Sequence, residues 1–287
     1  MAYQNVGTPR FYIDYGQYQI AQGLVHPDMT DNQIKALQLN PTELKNIDSF
    51  EIELPWIVQN YTSTNYIAIL GHLETGDDFG YQNPRINEDG LQGWSLFVSQ
   101  DESTISFDYP NPIGALSVGH YFDMPNSPDL SLSLTREYDG VKQVKTRGGA
   151  TLSNATYTSP PKWGDLPAWQ IGESGFSRTG RRVWDLSFSY ISDSDLMGEN
   201  EMSSTYKEND ITIGNTGFAT TLENSNDFFS QVIQKTLGGH LSFILQINKD
   251  NFQPDQFALA RLDMSSFKLT QKANNVYNIK LKIRESW

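Results

Sequence analysis

Histidine, cysteine and paired carboxylates carry most protein chemistry near neutral pH, so their spacing is the first thing to read. The four histidines, His26, His72, His120 and His240, stand far apart, with no His-Glu-x-x-His or His-x-His pattern that would bring two imidazoles to one metal. Cysteine is absent, which removes thiolate ligands, cysteine nucleophiles and disulfides together, and which suits a chain folded in a reducing cytoplasm. Gly172-Glu173-Ser174-Gly175 lacks the second glycine spacing of a nucleophile elbow, and neither a P-loop nor a dinucleotide glycine fingerprint is present. Asp193-x-Asp195 followed by Gly198 has the opening of a calcium loop, in which oxygen ligands at alternate positions surround a hard cation. Met197 and Ser204, however, occupy positions where such a loop needs oxygen ligands and a bidentate glutamate. Neighbouring acids such as Asp77 and Asp78 could serve a two-carboxylate glycosidase, but adjacency in sequence does not set a separation in space, and a solvated acidic turn is the expected reading. The expectation is a chain without catalytic residues, metal or cofactor.

Two further sets of side chains suit binding rather than catalysis. Trp94, Trp163 and Trp169, with Tyr81, Tyr109 and Tyr121, could stack on the apolar faces of sugars, and Trp94, Tyr81 and Tyr121 are the candidates for such a platform. Core or interface packing is the expected role of most of them. Arg178, Arg181 and Arg182, close after Lys162, could grip nucleic acid or the acidic face of a neighbouring copy. Charge distribution favours the second. The net charge is −13, yet residues 1–140 hold 5 Lys and Arg against 19 Asp and Glu (−14), whereas residues 141–287 hold 16 against 15 (+1). An acidic half repels nucleic acid and anionic lipid, so neither a genome nor a membrane surface is expected as partner. The N-terminus shows no basic and apolar leader, and no run approaches the ~18 apolar residues of a membrane helix. A soluble protein that does not follow the usual secretory route is expected.

The elements that would position these side chains are mainly strands. Gly, Ser, Thr and Asn are plentiful and long Ala/Glu/Lys/Leu runs are missing, which argues against helical bundles. Residues 11–25 and 50–58 read as extended. Short apolar runs follow at Tyr66 to Leu70, Trp94 to Val98, Ile105 to Tyr109, Ala115 to Tyr121 and Leu130/Leu132/Leu134, separated by turn residues at sandwich or jelly-roll spacing. A strand from Arg181 should turn Trp184, Leu186, Phe188 and Tyr190 to one side. In the last strand, Tyr277, Ile279, Leu281 and Ile283 alternate with Asn278, Lys280, Lys282 and Arg284, so a buried face backs onto a cationic one. Helices are expected at 31–39 and, with Asn224 or Ser225 as cap and Gly238-Gly239 as stop, at 225–237. Residues 192–224 form a long polar excursion, expected to order against a neighbouring subunit. The division is an acidic jelly-roll or β-sandwich module with an N-terminal arm over 1–140 and a β-sheet domain with one packing helix over 141–287.

Three passages add a resemblance. Asn65-Tyr66-Ile67-Ala68-Ile69-Leu70-Gly71-His72 resembles the opening strand of galactose-binding-like jelly-roll modules of phage tail and baseplate proteins, from which the acidic insertion Glu74 to Asp78 departs. Gly238 to Phe243, Phe257 to Arg261 and Tyr277 to Glu285 resemble the final strands of tail-tube-like domains in distal-tail and baseplate-hub proteins. Together they touch about a third of the chain. The resemblance implies a non-enzymatic virion structural protein of a tailed phage, made in the host cytoplasm and built into the tail. It would be a ring-forming tail-tip, hub or adaptor subunit, with a hexamer favoured and a trimer as the alternative, connecting the tail tube to other tail proteins. Arg178, Arg181, Arg182, Lys280, Lys282 and Arg284 are the expected inter-subunit residues. The alternatives are a carbohydrate-binding adhesion module for host recognition and, from acid abundance alone, a glycoside hydrolase.

Overall fold

The computed structural model describes residues 7–23, 31–37, 50–53, 64–73, 81–82, 85–87, 90–102, 104–107, 115–130, 133–138, 141–154, 180–197, 226–252 and 256–286, with the strands of 50–53 and 71–107 described by backbone alone. The first eight strands are β1 (Arg10–Asp14), β2 (Phe50–Glu53), β3 (Thr64–Leu73), β4 (Tyr81–Gln82), β5 (Arg85–Asn87), β6 (Gly90–Glu102), β7 (Thr104–Phe107) and β8 (Ala115–Asp123). The others are β9 (Ser133–Glu137), β10 (Gln143–Lys145), β11 (Thr151–Ser153), β12 (Arg181–Ser192), β13 (Phe243–Gln246), β14 (Phe257–Leu262), β15 (Leu269–Ala273) and β16 (Val276–Glu285). Helices are few: α1 (Tyr15–Ala21), α2 (Asp31–Ala36), α3 (Asp193–Leu196) and a π-helix, α4 (Phe229–Gln234). The fold is mainly β, as the composition implies.

Twelve strands form one sheet in the order β4-β6-β3-β8-β1-β13-β14-β16-β12-β9, with β5 beside β6 and β15 beside β16. Two small pairs, β2-β7 and β10-β11, stand apart from it. All these pairings are antiparallel, so every strand can alternate between two faces. On one face Phe11, Ile13, Leu116 and Val118 share a core with Trp184, Leu186, Phe228, Leu245 and Ile283. On the other, Tyr12, Tyr66, Ala68 and Ala115 pack with Ile244, Phe257 and Leu259. Sheet and core therefore run straight across residue 140, and the division expected there interrupts neither.

Local sequence explains where strands stop. Residues 11–25 are extended only as far as Asp14, because its Oδ1 accepts the Gln17 N–H at 2.9 Å and so caps α1. In β12 the alternation holds for Trp184, Leu186 and Phe188, but the register slips between Phe188 and Ile191. The extra residue of this bulge reverses parity, so Tyr190, at φ 60°, lies 77% exposed while Ile191 is buried. Gly198 and Ser204 lie outside the described residues, while Asp193 and Asp195 are described. They fall in the first turn of α3, where Ser192 Oγ accepts the Asp195 N–H. Residues 198–225, which include most of the polar excursion and both expected cap residues of the late helix, lie outside the described residues. That helix begins instead at Asp227, whose Oδ1 accepts the Ser230 N–H at 2.8 Å, and it ends where Leu237, Gly238 and Gly239 all take positive φ. Its end is a Schellman cap, in which the Gly238 N–H reaches the Ile233 carbonyl and the Leu237 N–H the Gln234 carbonyl. A one-sided apolar stripe is not what it presents: Ser230, Gln231, Lys235 and Thr236 are buried along with Val232 and Ile233.

The β1–α1 junction is the tightest place in the sheet. A Cβ added at Gly119, opposite Asp14, would run into the Ile13 carbonyl, so only glycine lets β8 lie this close to β1. Burial pushes the Asp14 carboxyl up to about 7, against the hydrogen bond it accepts from the Gln17 N–H. In the unfolded chain it titrates near ~3.9, so between these values the folded chain holds a proton that the unfolded chain lacks. This contribution favours folding at acid pH and is lost as pH rises from about 4 through 7. Asp14→Asn keeps a capping acceptor and removes the charge. It should raise unfolding stability at pH 8, by at most about 4 kcal/mol, and change little near pH 4. Urea titrations at both pH values read this out, and a variant no more stable than the parent at pH 8 contradicts it.

Candidate functional site

The expected cationic face is built by β12 and β16, whose register sets Val183 opposite Arg284, Asp185 opposite Lys282 and Ser187 opposite Lys280. Alternation brings Lys280, Lys282 and Arg284 to the face away from Leu281 and Ile283, as the sequence predicts. Their charges are largely met within the chain. Lys282 Nζ lies 2.8 Å from Asp263 Oδ2, and this hydrogen bond holds the amine above its ordinary pKa. Arg284 Nη2 lies 2.9 Å from Glu137 Oε2, which ties β16 to β9 across β12. Lys280 is exposed. The result is a surface of alternating sign, and each half-exposed pair on it contributes at most about 1 kcal/mol. Arg181 is half-buried opposite Glu137, and Arg178 lies outside the described residues.

Arg182 is not available to a partner. Its side chain is buried, with Nη2 3.0 Å from Glu285 Oε1 and Nε 3.3 Å from Oε2. Its backbone N–H donates to the same carboxylate at 2.9 Å, and Nη2 also donates to the Phe257 carbonyl at 2.6 Å. The guanidinium stands 5.1 Å from the centre of the Trp184 ring. The physical reason is parity, since Arg182 shares the inward-facing register of Trp184, Leu186 and Phe188, and burial then requires a full set of acceptors. It joins β12, β14 and β16 rather than two copies. Glu285→Ala, which leaves the guanidinium buried without its carboxylate, should cost about 3–5 kcal/mol in chemical denaturation, whereas Lys280→Ala should stay within about 0.5 kcal/mol. Equal effects of the two substitutions would contradict this assignment.

The three sugar-stacking candidates are separated by the sheet. Trp94 pairs with Leu70 across β6 and β3, Tyr81 pairs with Leu96 across β4 and β6, and Tyr121 stands on β8, on the far side of β3. The Arg10 guanidinium sits 4.0 Å from the Tyr121 ring centre, so one stacking face of that ring is occupied. Trp163, Trp169 and Tyr109 lie outside the described residues.

A polar network that the sequence reading missed holds this part of the sheet. Arg10 grips Asp123 with Nε at 2.6 Å and Nη2 at 3.0 Å, and Lys249 approaches the same carboxylate at 3.5 Å. Burial alone would lower the Arg10 pKa, but the bonds to Asp123 hold it above its ordinary value. Tyr12 donates to Gln246 Oε1 at 2.7 Å, and burial pushes its hydroxyl up to about 12. Tyr66 and Ser117 share a hydrogen bond of 2.9 Å. On the opposite face Lys235 donates to the Tyr15 hydroxyl at 3.1 Å and to Gln231 Oε1 at 2.8 Å. Burial raises the Tyr66 hydroxyl as it does that of Tyr12, and the network ties β1, β3, β8 and β13 together. Among the described residues no group of three His, Asp or Glu side chains is placed to hold a metal ion.

What is left open is an edge. Among the described strands β9 pairs only with β12, and it ends the sheet. Most of β9 is exposed, Leu134 at 39%, and Tyr138 just after it is 52% exposed. A strand edge carrying exposed apolar side chains is a template for another strand. No protein-family model, no curated protein and no solved structure matches this chain.

Proposed function

We propose that the chain is a non-catalytic structural subunit of a tailed-phage tail tip or baseplate, joining copies of itself in a ring and connecting the tail tube to other tail proteins. The observation that carries the reading is the open β9 edge with Leu134 and Tyr138 exposed beside it, at one end of a sheet whose other end, β4, is likewise paired on one side alone among the described strands. Edge strands of this kind are usually shielded by charge, proline or a covering element, and a neighbouring copy would supply that cover. The passages that resemble tail-protein strands support the same reading, because they fall on β3, β14 and β16 and on the turn that leads into β13, all in this one sheet. Closed cyclic symmetry would satisfy each edge once per subunit, and a ring of six is the favoured form.

Sedimentation over a wide concentration range, with negative-stain imaging of the same sample, tests this directly. Concentration-dependent oligomers and ring-shaped particles are expected. Leu134→Asp with Tyr138→Asp should weaken assembly by about tenfold or more while the secondary structure stays unchanged, since both positions are exposed. A parent chain that stays monomeric at the highest concentration, with no rings in the images, would overturn the proposal.

A further inference from the structure

The hairpin of β10 and β11 is the part of the described chain least able to account for its own order. Among the described strands, its two pair only with each other, in register from Gln143 opposite Ser153 to Lys145 opposite Thr151. The turn is closed by Thr146 N–H to the Ala150 carbonyl at 2.8 Å, with Gly149 at φ 85°, and its base by Lys142 N–H to Asn154 Oδ1 at 2.9 Å. None of its residues is buried. An isolated two-stranded hairpin is marginal in water at best, because it has no apolar face against which to pack. This one has such a face. Val144 and Leu152 are cross-strand partners on one side, 64% and 41% exposed.

Its charge says what would cover that face. Residues 141–154 carry Lys142, Lys145 and Arg147 and no acidic side chain, in a chain whose net charge is −13. All three cationic residues are exposed. The strongest counter-charge available is the chain's own residues 1–140, with 19 acids against 5 bases. We infer that this hairpin is a docking arm that lays Val144 and Leu152 on the acidic half of a second copy of this chain, with Lys142 on the same face as the apolar pair and Lys145 and Arg147 toward the turn at its margin. This deepens the ring proposal and rests on it: β9 supplies an edge, and the hairpin supplies a complementary arm. The apolar pair is the contact that loses water, and the rim of cations sets orientation and association rate.

The test uses the full chain. Equal amounts of isotopically heavy and light protein are mixed and treated with a zero-length carbodiimide cross-linker. Heavy–light peptides joining Lys142 or Lys145 to Asp or Glu within residues 1–140 are expected, and they should fade as salt is raised from about 50 to 500 mM. In parallel, Val144→Ser with Leu152→Ser, and separately Lys142→Glu with Lys145→Glu and Arg147→Glu, should each raise the dissociation constant by about tenfold or more with unchanged circular dichroism. If the parent assembles and both variants assemble equally well, or if heavy–light links avoid the hairpin, the inference falls while the ring reading stands. A parent that does not assemble removes both. Salt-sensitive binding of a single-stranded oligonucleotide, lost in the charge-reversal variant while assembly is retained, would assign the arm to nucleic acid and overturn the inference.

Discussion

β1 is held on one side by β8 and on the other by β13, strands separated from it by more than a hundred residues and, in the second case, by most of the chain. That double pairing is the constraint on which the rest depends. Five residues, Arg10 to Asp14, supply a hydrogen-bonded strand to two neighbours, Phe11 and Ile13 to one core, Tyr12 to the other, and the Arg10 clamp on Asp123. Closing loops of that length is entropically slow but not prohibitive, since its cost grows only with the logarithm of loop length. Once closed, it fuses an acidic and a near-neutral stretch of chain into one sheet, and no surface between two bodies is needed to hold them together.

Two different devices stabilise the middle of the sheet and its β9 side. Around β1, β8 and β3 the polar groups are enclosed, and hydroxyls, amides and one bidentate ion pair are matched with short bonds in a low-dielectric setting. Toward β16, β12 and β9 the ion pairs are half exposed and weak, with the exception of Arg182 and Glu285, which are buried and joined by several bonds. The sheet is therefore firm in its middle and loosely secured at its β9 side. A firm centre with an under-covered margin is the distribution expected of a subunit that completes itself against neighbours.

Much of this architecture was legible in the residues. Alternation placed β16 and most of β12 on the correct faces, because a period of two is unambiguous when large apolar side chains mark one face. It lapsed at Tyr190, where one bulged residue reverses parity without leaving a mark in the pattern. Arg182 has the same parity as Trp184, but an arginine reads as a surface residue until its acceptors, Glu285 and the Phe257 carbonyl, are known. Asp14 ended a strand that looked continuous, and only the cap it makes with Gln17 shows why. The single sheet across residue 140 was hidden because charge composition changes there while strand pairing does not. Edge status, which makes β9 the candidate surface, is a property of sheet order and has no local signature at all.

Hydrogen exchange followed at low and high protein concentration reports on that edge directly. Amides of β1 and β13, paired in the middle of the sheet, should be strongly protected in both samples. Those of residues 133–137 and 143–153 should exchange fast when the protein is dilute and become protected as concentration rises. Exchange in β9 and the β10–β11 hairpin that is independent of concentration would contradict an edge completed by other copies.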